Sequence, residues 1–145
     1  MRRILLSVLC LAILLFPTTS HGQSGPYRLH VPVVAQGQAL DIIGLRITAL
    51  NHLGRDEYVE ITNQGYVFAY MADVRLVSVV GGQEFVFPDF TLAVGDAVRV
   101  HSGPDAIDQP PKDLRWSGAN YVWNDDGDEA QLFGYGGLLL DSFRY

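Results

Sequence analysis

The residue pattern predicts an all-β domain, a sandwich or barrel of about seven to nine short strands. Three observations carry this. Apolar and polar residues alternate in short runs that recur at roughly ten-residue intervals. Glycine and proline residues punctuate those runs. No window of about eleven residues sustains the three-and-four apolar spacing that a helix buries.

The first element is no part of that domain. Residues 1–22, MRRILLSVLCLAILLFPTTSHG, open with Arg2 and Arg3 and continue as an apolar run from Ile4 to Phe16. Pro17 breaks the run, and the small residues Ser20 and Gly22 follow two positions apart. This is the layout of a secretory signal peptide, too short to stay comfortably as a membrane span, with cleavage expected after Gly22. Cys10 lies in the middle of the apolar run rather than at its end, which argues against a lipid-modified cysteine.

Removing 22 of 145 residues leaves 123, enough for one core, and leaves no cysteine for a disulfide or a thiolate metal site. The formal charge of −6 becomes −8, because the leader takes two arginines and no acid. An acidic chain without a basic cluster neutralises phosphates poorly, so nucleic acid and anionic membrane surfaces are not expected as partners. The rest of the chain carries no second long apolar stretch, so the exported protein is expected to be soluble, with no membrane anchor.

Residues 23–42 read as a leader or linker rich in proline, glycine, glutamine and serine. Tyr27, Leu29, Val31 and Val33 alternate there as one short peripheral strand. The domain proper is expected over 43–145. LRITALNH alternates Leu45, Ile47 and Ala49 with polar neighbours, and EYVEIT sets Val59 and Ile61 on one face. ADVRLVSVV and QEFVFP flank the Gly81-Gly82 turn, with Phe85 and Phe87 in phase. DAVRVHS continues the alternation through Val98 and Val100, and EAQLFGY and LLLDSFRY flank Gly136-Gly137 as a closing hairpin. The inward set is Ile47, Val59, Ile61, Leu76, Phe85, Phe87, Leu92, Val98, Val100, Trp116, Leu132 and Leu140.

Four stretches add specificity: EYVEITNQG (57–65), FPDFTLAVGDAVRVHSG (87–103), PPKDLRWSGANYVWNDDGDEAQLF (110–133) and GGLLLDSFRY (136–145). Together and in this order they resemble the lamin-tail domain over about residues 43–145. The resemblance implies an immunoglobulin-like β-sandwich. The signal peptide and the missing coiled-coil rod point to a bacterial, exported branch, so nuclear scaffolding is not carried over.

The same residues have local readings. Pro88 ends a strand because it donates no ladder hydrogen bond. Gly95-Asp96 turns the chain into the next strand, and Asn63 can bond backbone amides where a strand stops. Trp116 and Trp123 are read as core residues beneath the connection between them, with a carbohydrate-binding two-tryptophan surface as the alternative.

WNDDGDEAQLF (123–133) places four carboxylates between Asp125 and Glu129. Asp126-Gly127 is a tight-turn signal leading into an apolar strand, with Asn124 and Asp128 bonding the turn's own backbone. Calcium needs six to eight oxygens, and the twelve-residue loop and flanking helices of an EF-hand are missing. A turn is therefore expected. The alternative is a loop calcium site built from Asp125, Asp128 and Glu129 with backbone carbonyls.

No catalytic residue, cofactor site or metal site is assigned. After the leader, His30, His52 and His101 remain, in no spacing that pairs two metal ligands. The chain has no Gly-x-Ser-x-Gly, no phosphate-cradling glycine loop and no cysteine nucleophile. Asp105, Asp108 and Asp113 surround a proline-rich stretch that reads as a solvated loop. The expected function is a secreted, non-catalytic binding module for a protein or an extracellular polymer, in the periplasm, on the surface or in the medium. The alternative, by analogy with bacterial lamin-tail domains appended to catalytic domains, is an accessory acting in trans with a secreted hydrolase such as a nuclease or phosphoesterase.

Overall fold

The computed structural model describes residues 42–145 except Ser117 and Ala119. The signal peptide, nearly all of the 23–42 leader and its expected peripheral strand lie outside the described residues. Among the described residues ten strands form: β1 (Leu45–Asn51), β2 (Glu57–Asn63), β3 (Ala69–Tyr70), β4 (Arg75–Ser78), β5 (Glu84–Val86), β6 (Thr91–Leu92), β7 (Ala97–Ser102), β8 (Asp113–Arg115), β9 (Glu129–Phe133) and β10 (Leu139–Arg144). A 3-10 turn at Tyr135–Gly137 joins β9 to β10.

One four-stranded sheet has the order β1-β2-β7-β8 and a second has the order β10-β9-β4-β5, with β3-β6 as a separate two-stranded ladder. All pairings within these sheets are antiparallel except β7 with β8. The two inner faces share one core. Leu45, Ile47, Val59, Ile61, Val98, Val100 and Leu114 come from the first sheet, and Leu76, Ala130 and Leu132 from the second. Each fully buried aliphatic side chain contributes about 1.5–3 kcal/mol by leaving water. This is the all-β, immunoglobulin-like sandwich that the alternation and the resemblance predict.

Ten of the twelve residues expected to point inward are buried, whereas Phe85 and Leu140 are half-buried against the rim of the core. The strand over 45–51 keeps its alternation only as far as Ile47. A bulge between Ile47 and Ala49 shifts the register, so Leu50 rather than Ala49 packs on the core. A matching irregularity lies between Leu139 and Asp141 on β10. The two edges meet there, and the Ile47 N–H donates to the Asp141 carboxylate at 2.8 Å. A carboxylate thus satisfies a backbone N–H on the edge of the first sheet.

At one end of the sandwich the entry to β1 crosses the exit from β2. Gln64 N–H donates to the Gly44 carbonyl at 2.9 Å. A Cβ on Gly44 would sit 2.3 Å from the Gly65 Cα and 2.4 Å from its nitrogen. Both contacts are backbone and cannot rotate away. Gly44→Ala is therefore expected to cost about 2–3 kcal/mol through overpacking, read as a lower urea midpoint with an unchanged slope. An unaltered midpoint would show that the two segments separate freely.

Candidate functional site

The acidic turn divides its carboxylates by direction. Asp126 N–H donates to Asn124 Oδ1 at 2.9 Å, and Gly127, at φ 125°, returns its N–H to the Asn124 carbonyl at 3.1 Å. Asp128 is buried: its Oδ2 accepts from Ser78 Oγ at 2.7 Å. Its Oδ1 accepts from the N–H groups of Val80 at 2.9 Å and Glu129 at 2.7 Å. The side chain thereby ties the β4–β5 turn to the start of β9. Glu129 turns toward Gln131, which donates at 2.8 Å, and toward Arg144 at 3.6 Å. Asp125 stays in solvent, 4.0 Å from His52 Nδ1.

The three carboxylates named as calcium candidates thus share a turn but face different partners. Among the described residues no group of three or more His, Cys, Asp or Glu converges as a metal site.

A second buried carboxylate lies close by. Glu57, the first residue of β2, is 1% exposed. Its Oε2 accepts from Ser102 Oγ at 2.7 Å, Val122 N–H at 2.8 Å and Trp123 N–H at 3.4 Å. One oxygen thus anchors the long β8–β9 connection to the first sheet. Trp123 packs edge-on against Trp116 with centroids 6.0 Å apart, and Trp116 leans on Phe85 at 5.7 Å. Both indoles are buried, so they belong to the core and present no two-tryptophan surface.

Between this anchor and the acidic turn opens a cavity of about 320 Å³, lined by Gly54, Glu57, Tyr121, Trp123 and Asp125. Tyr145 reinforces the same end. It stacks on His52 at 4.2 Å and donates its hydroxyl to the Asn124 carbonyl at 3.0 Å. Its phenol is pushed up to about 12, first by burial and then by the negative charges of Asp128, Glu57 and Asp125.

A phenol raised by folding stabilises the fold while it keeps its proton. That contribution is complete below the ordinary value of 10.0 and is lost as pH climbs through about 12. Tyrosinate absorbance should show a phenol ionising at the top of that window, and Tyr145→Phe should remove part of the alkaline loss in melting temperature. An identical alkaline slope in the variant would assign the loss to other groups.

On the outer face of the first sheet, His101 is buried between two carboxylates. Its Nδ1 lies 2.8 Å from Asp56 and its Nε2 3.1 Å from Asp113, with the Tyr58 ring 5.7 Å away. A ring that donates to both carboxylates carries both protons; the neutral ring donates to one. Ser102, the next residue, turns the other way and gives its hydroxyl to Glu57, so the pair forms no nucleophile and base.

Asp113 does not lie in a solvated loop. It instead opens β8 and holds His101, while Asp105 pairs with Arg55 at 2.7 Å. No local signal announces this clamp, because Asp56 and His101 are 45 positions apart.

At the opposite end Asn63 is a hub. Its Oδ1 accepts from Gly65 N–H at 2.9 Å, and its Nδ2 donates to the carbonyls of Val67 at 2.8 Å and Leu92 at 3.0 Å. Around it Ile43, Tyr66, Val67, Phe68 and Val94 stand exposed, Tyr66 completely.

The comparisons with known proteins accord with this architecture. The family model of the lamin tail domain matches residues 38–145. No curated protein matches the chain. The match spans both sheets, the Glu57 anchor, the acidic turn and the Asn63 hub, and the chain belongs to the lamin tail domain family, whose members are immunoglobulin-like, non-catalytic interaction domains.

Proposed function

We propose that the chain is an exported interaction module whose partner is a protein or an extracellular polymer. One observation carries this reading. The buried polar groups Glu57, Asn63, Ser78, His101, Ser102 and Asp128 all hydrogen-bond within the fold, and its two serine–carboxylate pairs, Ser102 with Glu57 and Ser78 with Asp128, are closed off from solvent, each residue 3% exposed or less. Catalysis needs such groups free to meet a substrate; here they join loops to sheets. The exposed side chains of Tyr66, Val67 and Phe68 favour a protein among the partners, since apolar surface held on a well-tied scaffold is the usual mark of an interface. Export rests on the leader's charge and apolar run.

The test is capture from the native secreted fraction with the tagged full chain, followed by mass spectrometry. A surface protein or wall polymer retained by the wild type and released by a Tyr66→Ser, Phe68→Ser double variant is the expected result. A co-purified hydrolase would favour the accessory role. Turnover by the isolated chain, abolished by one acidic substitution, would overturn the reading.

A further inference from the structure

The cavity beside the β1–β2 turn combines aromatic walls with uncompensated negative charge. Tyr121 is half-exposed at its mouth, and Trp123 and Glu57 form its floor. Among the described residues Glu57 is met there by neutral dipoles, the Ser102 hydroxyl and two backbone N–H groups, which stabilise its charge without cancelling it. Asp125 contributes a second carboxylate, and its ion-pair neighbour among the described residues is His52, 4.0 Å away. Arg55, next to Gly54 in the chain, spends its guanidinium on Asp105 in a two-bond pair at 2.7 and 3.0 Å. Among the described residues no arginine or lysine lines the cavity.

We propose that this cavity receives one basic side chain, an arginine or a lysine, of a protein partner. The proposal rests on the interaction reading above and gives it a place and a chemistry. An organic cation gains from aromatic faces and carboxylates together, and its apolar stem can lie along the Tyr121 ring while the head reaches Asp125. A volume of about 320 Å³ accommodates the end of such a side chain and little more. Calcium is the weaker fit, because it needs six to eight oxygens and the lining supplies two carboxylates, one of them 1% exposed. An anionic ligand would face both charges.

The test adds capped Gly-Arg-Gly peptide to the isotopically labelled full chain and follows the Trp123 indole N–H and the Gly54 amide by NMR. The expected result is a saturable shift of both signals, with no saturable shift from the peptide carrying neutral citrulline in place of arginine. Asp125→Asn, at an exposed position, should weaken binding about tenfold, as loss of one charge contact does. Tyr121→Ala should weaken it by a similar factor. Equal shifts with citrulline, unchanged binding by Asp125→Asn, or the same saturable shifts from calcium chloride alone would each overturn the proposal. Capture separates the two readings. A native protein partner held equally by wild type and Asp125→Asn overturns this site and leaves the interaction module standing. Peptide binding without any captured partner overturns the module and leaves the site.

Discussion

Glu57→Ala is expected to lower the stability of the domain by about 3–4 kcal/mol, near the top of the range for single substitutions. The reason is asymmetry. The carboxylate is 1% exposed and one of its oxygens receives three donors, two of them backbone N–H groups of Val122 and Trp123. Removing it leaves those donors buried without an acceptor, at about 1–3 kcal/mol for each unsatisfied group before the surroundings relax. Glu57→Gln keeps an acceptor oxygen in place and should lose about 1–2 kcal/mol, the part due to charge. Urea denaturation followed by tryptophan fluorescence measures both, and the emission also reports whether residues 121–123 leave the sheet. The half-exposed Glu84, paired with Arg75 at 2.9 Å, supplies the control, since a surface pair contributes about 0–1 kcal/mol. A Glu57→Ala midpoint equal to that of Glu84→Ala would refute the anchor.

The residues legible in advance were those whose environment follows from their immediate neighbours. Alternation has a period of two, so β2, β4, β7 and β9 could be read from Val59 and Ile61, Leu76, Val98 and Val100, and Leu132. The Gly81-Gly82 and Gly136-Gly137 hairpins followed from glycine chemistry. β3 and β6 have two residues each, too few for any period, and β8 has three and pairs parallel to β7, a non-local arrangement. The bulge after Ile47 lies where β1 meets β10, about ninety positions further along, at the Asp141 carboxylate. Alternation inside LRITALN does not contain that information.

The same division separates the polar groups. Asn63 could be assigned to bonds at the end of a strand, because one partner, Gly65, is two residues away. Its contact with Leu92 could not, nor could the partners of Glu57 at Ser102 and Val122, 45 and 65 residues distant. Within the acidic turn, Asp125 and Asp128 have the same chemistry and nearly the same neighbours. Only the position of β4 gives one of them a partner in the core.

That contrast sets the last expectation. Asp128→Ala should destabilise the domain by about 3 kcal/mol, while Asp125→Asn stays within about 0.5 kcal/mol of wild type. Asp128 is 3% exposed, and both of its oxygens are occupied, by the Ser78 hydroxyl and by the N–H groups of Val80 and Glu129. Alanine would orphan the hydroxyl and both amides and free the β4–β5 turn from β9. Asp128→Asn retains one acceptor oxygen but sets an NH2 group against one of these donor sets, so it should fall between the two. Asp125 has a side chain 78% exposed, with only a 4.0 Å approach to His52 to lose. Thermal melts of the three variants, with and without millimolar calcium, distinguish a turn from a metal loop. If the turn is only a turn, calcium leaves the ranking unchanged and shifts the wild type no more than sodium at equal ionic strength. A calcium-selective rise in wild-type melting temperature, lost in both Asp125→Asn and Asp128→Asn, would make the acidic turn a binding loop, with Asp128 a ligand rather than a latch.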